Sequence, residues 1–69
     1  MHLKPTPQQE AAVRHGLQWH DETERLAGWL VARARMDVDE TTVRGWLFAL
    51  AAEGKVKRVG VKPERWGLA

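Results

Sequence analysis

Apolar side chains recur at helical spacing in three stretches of the chain and at alternating spacing in a fourth. The third stretch is the clearest: Val43, Leu47 and Leu50 fall at i, i+4 and i+7 with Trp46 beside them, one stripe of a helix over residues 40–53. Gly54 follows as its stop. Upstream, Leu26, Trp29, Leu30, Arg33 and Ala34 mark a helix over 22–35, whose arginines 25, 33 and 35 can lay their aliphatic stems along the apolar face. Ala11, Ala12 and Val13 carry a first helix over about 7–15.

The helix ends carry signals of their own. Thr6-Pro7-Gln8-Gln9 fits an N-cap threonine, proline at the first helical position and glutamine three residues after the cap. Gly16 stands where a left-handed C-cap would close that helix. Leu17-Gln18-Trp19 then reads as a short connector with two apolar anchors. Asp21, Glu22 and Glu24 gather in the first turn of the second helix, where negative charge suits the helix dipole. Asp37-Val38-Asp39-Glu40 reads as a tight turn with Asp39 as the N-cap of the third helix, and Thr42 stands where a capping box would have Glu or Gln.

Beyond Gly54 the period changes. Lys55-Val56-Lys57-Arg58-Val59-Gly60-Val61 is short, β-branched and bounded by glycine, and Glu64-Arg65-Trp66-Gly67-Leu68 alternates with Trp66 and Leu68 on one face. The two segments predict a hairpin over 55–68 with its tip at Gly60 to Pro63. Val56, Val59 and Val61 cannot share one face under strict alternation, so a bulge or an early end to the pairing is expected. Residues 1–69 are thus read as one domain, mainly α with a small β-hairpin.

This order of elements resembles the winged helix-turn-helix domain. The resemblance covers nearly the whole chain. It is carried by Val38-Asp39-Glu40-Thr41-Thr42-Val43-Arg44-Gly45-Trp46-Leu47 for the turn and recognition helix, and by Leu50-Ala51-Ala52-Glu53-Gly54-Lys55-Val56-Lys57-Arg58 for the passage into the wing. Asp37 replaces the glycine common in the family's turn, and the usual alanine of the second helix is displaced by about one residue, which points to a lengthened turn. The wing Gly60-Val61-Lys62-Pro63-Glu64-Arg65-Trp66 is faintly similar to that of Z-alpha domains, which bind left-handed nucleic acid. At the positions where that family places a contacting asparagine, tyrosine and lysine, this chain has Arg44, Phe48 and Glu40.

Composition removes several function classes. No Ser, Cys, Tyr, Asn or Ile occurs in the 69 residues, so no serine or cysteine nucleophile, disulfide or thiolate metal site is available. Four Trp and one Phe supply the core that so short a chain needs, each aromatic burying roughly 150–250 Å²; Trp19, Trp29 and Trp46 are expected to be structural, and Trp66 to cap the core next to Leu68 or to present its edge to a ligand. His2, His15 and His20 lack the i, i+4 spacing of a helical zinc site. Carboxylate pairs such as Glu22 with Glu24 sit at helix starts with no deep cleft to raise their pKa. Neither an enzyme, a cofactor nor a metal is expected. With no run of 18 apolar residues and no apolar stretch in the opening MHLKPTPQQE, the chain reads as soluble, cytoplasmic and without a membrane partner. Its bias to Arg, Ala, Val and Trp is of a kind found in bacterial chains coded by GC-rich genes.

Charge changes the picture most. The formal net charge is +2, yet residues 1–43 hold five basic and seven acidic side chains, a net of −2, and residues 44–69 hold six basic and two acidic, a net of +4. Lys55, Lys57, Arg58, Lys62 and Arg65 on or beside the hairpin, with Arg44 on the helix before it, suit phosphate neutralisation and salt-dependent binding. Lysines also guard exposed strand edges against aggregation, the plainer use of the same residues. Once Val43, Trp46, Leu47 and Leu50 turn inward, the third helix presents Glu40, Thr41, Arg44, Gly45 and Phe48. Arg44 can bond guanine, Thr41 or Thr42 a phosphate or base edge, and Phe48 a thymine methyl, although a ring in that place also serves as packing. Gly45 costs about 1 kcal/mol relative to Ala inside a helix, so DNA, a partner or another helix comes close there.

The expected function is therefore double-stranded DNA binding by a small bacterial or phage transcription regulator, with residues 40–53 in the major groove and residues 57–65 at the backbone or minor groove. A module this small contacts little DNA, which implies a homodimer or a partner regulator. The reading from another class is a protein interaction module on the same fold, with Asp21–Glu24, Phe48 and Val61 as its contacts.

Overall fold

The computed structural model describes residues 4–69; His2 lies outside them. It contains α1 (Pro7–Gly16), α2 (Thr23–Ala32), α3 (Glu40–Ala52), β1 (Val56–Val61) and β2 (Glu64–Leu68), so the expected mainly α fold with a hairpin is present. Among the described residues no helix is long and apolar enough to cross a membrane.

The local signals act where they stand. The Thr6 hydroxyl accepts from the Gln9 amide at 3.2 Å, and the Gln9 side chain accepts from the Thr6 amide at 2.8 Å, completing a capping box with Pro7 beside it. The Asp39 carboxylate accepts from the Thr42 amide at 2.8 Å and caps α3. Bonds from the Thr42 hydroxyl and amide hold the Asp39 carboxyl below its ordinary range.

Two helix ends differ from expectation. Gly16 is not a left-handed cap: it is the last residue of α1, buried, and the cap is Leu17 at φ −63°. A Cβ at Gly16 would lie 2.7 Å from Leu26 Cδ1 and 2.8 Å from Trp29 Cε3, so this glycine allows α1 to meet α2. The second helix ends at Ala32, three residues short of the expected 35. The amides of Ala34 and Met36 both donate to the Leu30 carbonyl, and Arg35 takes the left-handed φ of 54°. This reversal turns Ala34, Met36 and Val38 back onto the core, an apolar return that stabilises such ends. Residues 33–39 form the long turn before α3.

The core joins Val13 and Leu17 from the first helix and its cap, Leu26, Ala27 and Leu30 from α2, Val43, Trp46, Leu47 and Leu50 from α3, and Val56 and Trp66 from the hairpin. Trp66 is the largest fully buried side chain, and its indole N–H donates to the buried Thr23 hydroxyl at 3.2 Å. Trp46 is buried and Trp29 packs at the edge of the core, as expected of structural tryptophans. Trp19 departs from that expectation at 60% exposed. Leu17 takes the core position of the connector, leaving Trp19 on the outside against His15, ring centroids 4.7 Å apart.

The hairpin pairs Arg58 with Trp66 and Gly60 with Arg65, leaving Val59 as the extra residue of the expected bulge. Val61 pairs with Glu64 across a two-residue tip, Lys62-Pro63, whose peptide is cis. Leu68 stays exposed beside buried Val56 instead of sharing the core with Trp66. The free edge of β2 is joined by the connector before α2. Glu22 bridges antiparallel to Arg65, and the Trp66 amide donates to the Asp21 carbonyl at 2.8 Å.

Gly28 contrasts with Gly16. It lies inside α2, exposed, and an added Cβ would meet nothing within 4 Å. Gly28→Ala is expected to raise stability by about 0.5–1 kcal/mol through helix propensity alone, an upward shift of a few degrees in a thermal melt.

Candidate nucleic-acid interface

The outward face of α3 follows from its inward one. With Val43, Trp46, Leu47 and Leu50 buried, Thr41 and Arg44 are exposed, Phe48 stays 37% exposed and Gly45 is half-buried; these four and Glu40 line one open concavity. The Thr42 amide serves the Asp39 cap, and its side chain is exposed at the start of the helix.

The hairpin meets this face through Trp66 and Glu64. Phe48 stands edge-on to Trp66, ring centroids 5.1 Å apart and planes at 85°, so a core residue braces it from below. The Arg44 guanidinium lies 4.8 Å and that of Arg58 5.7 Å from the Phe48 ring centroid, both within cation–π range. Between the two arginines stands the Glu64 carboxylate. Its Oε1 accepts from Arg44 Nε at 2.9 Å, and its Oε2 accepts from Arg44 Nη2 at 3.2 Å and from Arg58 Nη1 at 3.3 Å. Arg44 first, then Arg58, holds the Glu64 carboxyl below its usual range, and Glu64 in turn raises Arg44.

The remaining cations of the hairpin are dispersed. Successive strand residues point to opposite faces, so Arg58, Glu64 and Trp66 face α3, while Lys57 and Arg65 project from the other side. Arg65 packs across Gly60, where a Cβ would lie 3.0 Å from its Nε. Lys62 is exposed at the tip. Lys55 is drawn to α1, with its Nζ 3.0 Å from Glu10 Oε1 and 3.7 Å from Glu53 Oε2, and Glu10 raises its pKa most. Thr41, Arg44, Gly45, Phe48 and Arg58 thus come together, whereas Lys57 and Arg65 lie on the hairpin's opposite face, Lys62 at its tip and Lys55 apart at its base.

Glu64 and the Glu22–Arg65 bridge are parts of this arrangement that sequence reading missed. Glu64 had one signal, as the single acid among the five cations of residues 55–65. The bridge had none, since Asp21-Glu22 reads locally as a helix start. Among the described residues, no three His, Asp or Glu side chains group as metal ligands. No protein-family model, curated protein or solved structure matches the chain, so the functional reading rests on its residues and their placement.

Proposed function

We propose that the protein is a winged-helix DNA-binding module of a transcription regulator, placing α3 in the major groove of a duplex and the hairpin beside it as the wing. One observation carries the reading: Arg44 and Arg58, from α3 and the hairpin, converge beside a half-open aromatic ring on a single anion. Guanidinium forks favour bidentate bonds to phosphate and to guanine, and a nearby ring favours a thymine methyl or a base face. Lys62 at the tip and Lys57 and Arg65 on the hairpin's far side extend the positive edge to flanking backbone. A homodimer or a partner regulator would supply the second half-site that one such module cannot reach.

The test is a duplex titration followed by backbone amide shifts at two salt concentrations. Shifts confined to α3 and the hairpin are expected, with a log–log salt slope of about −3 to −4 for four neutralised phosphates. Arg58→Ala is expected to flatten that slope by about one. No shifts with any duplex at low salt, right-handed or left-handed, would sink the reading. A second reading, protein docking, is favoured by Trp19. Exposed beside Trp29 and His15, it borders a shallow groove with Gly28 and Arg33 that DNA bound at α3 would leave open.

A further inference from the structure

We propose that Glu64 holds, in the free protein, the place that a nucleic-acid phosphate takes on Arg44 and Arg58, so that binding exchanges one anion for another. The proposal rests on the nucleic-acid reading above and deepens it. Glu64 offers its two oxygens to three guanidinium nitrogens, a fork to Arg44 and a single bond to Arg58. A phosphate presents the same pair of oxygens to the same fork. The two cations, 14 residues apart in sequence, come from different elements and would repel each other with no anion between them. Glu64 therefore does two things: it gathers the guanidiniums over Phe48, and it cancels charge that a phosphate would otherwise meet.

Exposure decides which of the two governs binding. The Arg44 and Arg58 side chains are 52% and 44% exposed and that of Glu64 21%, so each ion pair has its cation in solvent and contributes little to stability. The carboxylate can leave at small cost. Packing on Phe48 and the stem of each arginine remain to hold the guanidiniums when it does. A neighbouring carboxylate provides the comparison: Glu40 acts on Arg44 through charge, with no hydrogen bond to it among the described residues.

The experiment measures duplex DNA affinity at low salt for the wild-type chain, Glu64→Gln and Glu40→Gln. Each variant removes one negative charge near Arg44, but only the first removes the charge to which both guanidiniums are bonded. The expected result is a gain of about fivefold for Glu64→Gln and less than about twofold for Glu40→Gln, with the Glu64→Gln gain gone in an Arg44→Ala, Arg58→Ala background. Equal gains, or weaker binding by Glu64→Gln, would overturn the exchange. Glu64→Ala provides the same comparison if the glutamine variant melts early.

A second arm needs no DNA. Inorganic pyrophosphate is titrated while the Arg44 and Arg58 Nε–H resonances are followed. Saturation at lower pyrophosphate in Glu64→Gln than in wild type supports the exchange, and unmoved resonances in both overturn it. Should no variant bind a duplex while pyrophosphate still competes with Glu64, the DNA reading fails and the anion exchange stands.

Discussion

Trp66→Ala is expected to leave the chain largely unfolded at room temperature, with helical circular dichroism lost and no cooperative urea transition. Trp66 is 1% exposed and is the largest side chain buried to that degree. Truncating a buried tryptophan costs about 3–5 kcal/mol, of which part is lost transfer energy and part the cavity left behind. At roughly 0.05–0.15 kcal/mol per residue a chain of 69 residues has about 3.5–10 kcal/mol in total, and a single core this small falls toward the low end, about 3–5 kcal/mol. Trp66→Phe separates the ring from its N–H. It keeps most of the packing, including the edge contact with Phe48, but leaves the buried Thr23 hydroxyl without its donor. That variant is expected to fold, with a lower urea midpoint. A Trp66→Ala chain that melted like wild type would show that the indole is not part of the core.

Gly16→Ala is expected to destabilise by about 1–3 kcal/mol, although alanine is the better helix former by about 1 kcal/mol. Packing decides the sign. The added methyl would overlap Leu26 Cδ1 at 2.7 Å and the Trp29 ring at 2.8 Å, distances that real Cβ atoms do not tolerate. Leu26 is fully buried and has nowhere to go, whereas Trp29 is half-buried and can tilt outward, so relief would come through Trp29. In a domain of this length each kcal/mol moves a thermal midpoint by about 4–8 °C, and near-ultraviolet circular dichroism should report the displaced indole. Set beside Gly28→Ala, the pair isolates close approach from propensity: the same substitution in neighbouring helices, with opposite signs.

What could be read in advance was what acts locally. Thr6, Pro7 and Gln9 act within one helical turn, as do Asp39 and Thr42, and the bulge at Val59 follows from three valines that alternation cannot reconcile. The stripe of Val43, Leu47 and Leu50 fixed the orientation of α3 and hence exposed Thr41, Arg44 and Phe48. What escaped was set by partners distant in sequence. Glycine has the same letter at Gly16 whether it turns left-handed or lies against Leu26, and only the approach of α2 decides. α2 ends at Ala32 and the chain reverses at Arg35, neither of which carries a stop signal, because Met36 and Val38 find the core. Trp19 counted as core by composition, but Leu17 had already filled the one inward position of that connector. Glu64 read as an exception in a basic hairpin until α3 brought Arg44 to it.

The contact between Trp66 and Thr23, spanning 43 positions, also orders the events of folding. Helix caps and i, i+4 stripes reward a chain as soon as a single turn forms, whereas a long loop must close before the indole reaches its hydroxyl, at an entropic cost that grows with the logarithm of its length. The three helices are therefore expected to assemble around an incomplete centre, with the hairpin completing it last. A side chain that arrives late contributes chiefly to the barrier against opening, so substitutions at Trp66 should speed unfolding more than they slow folding.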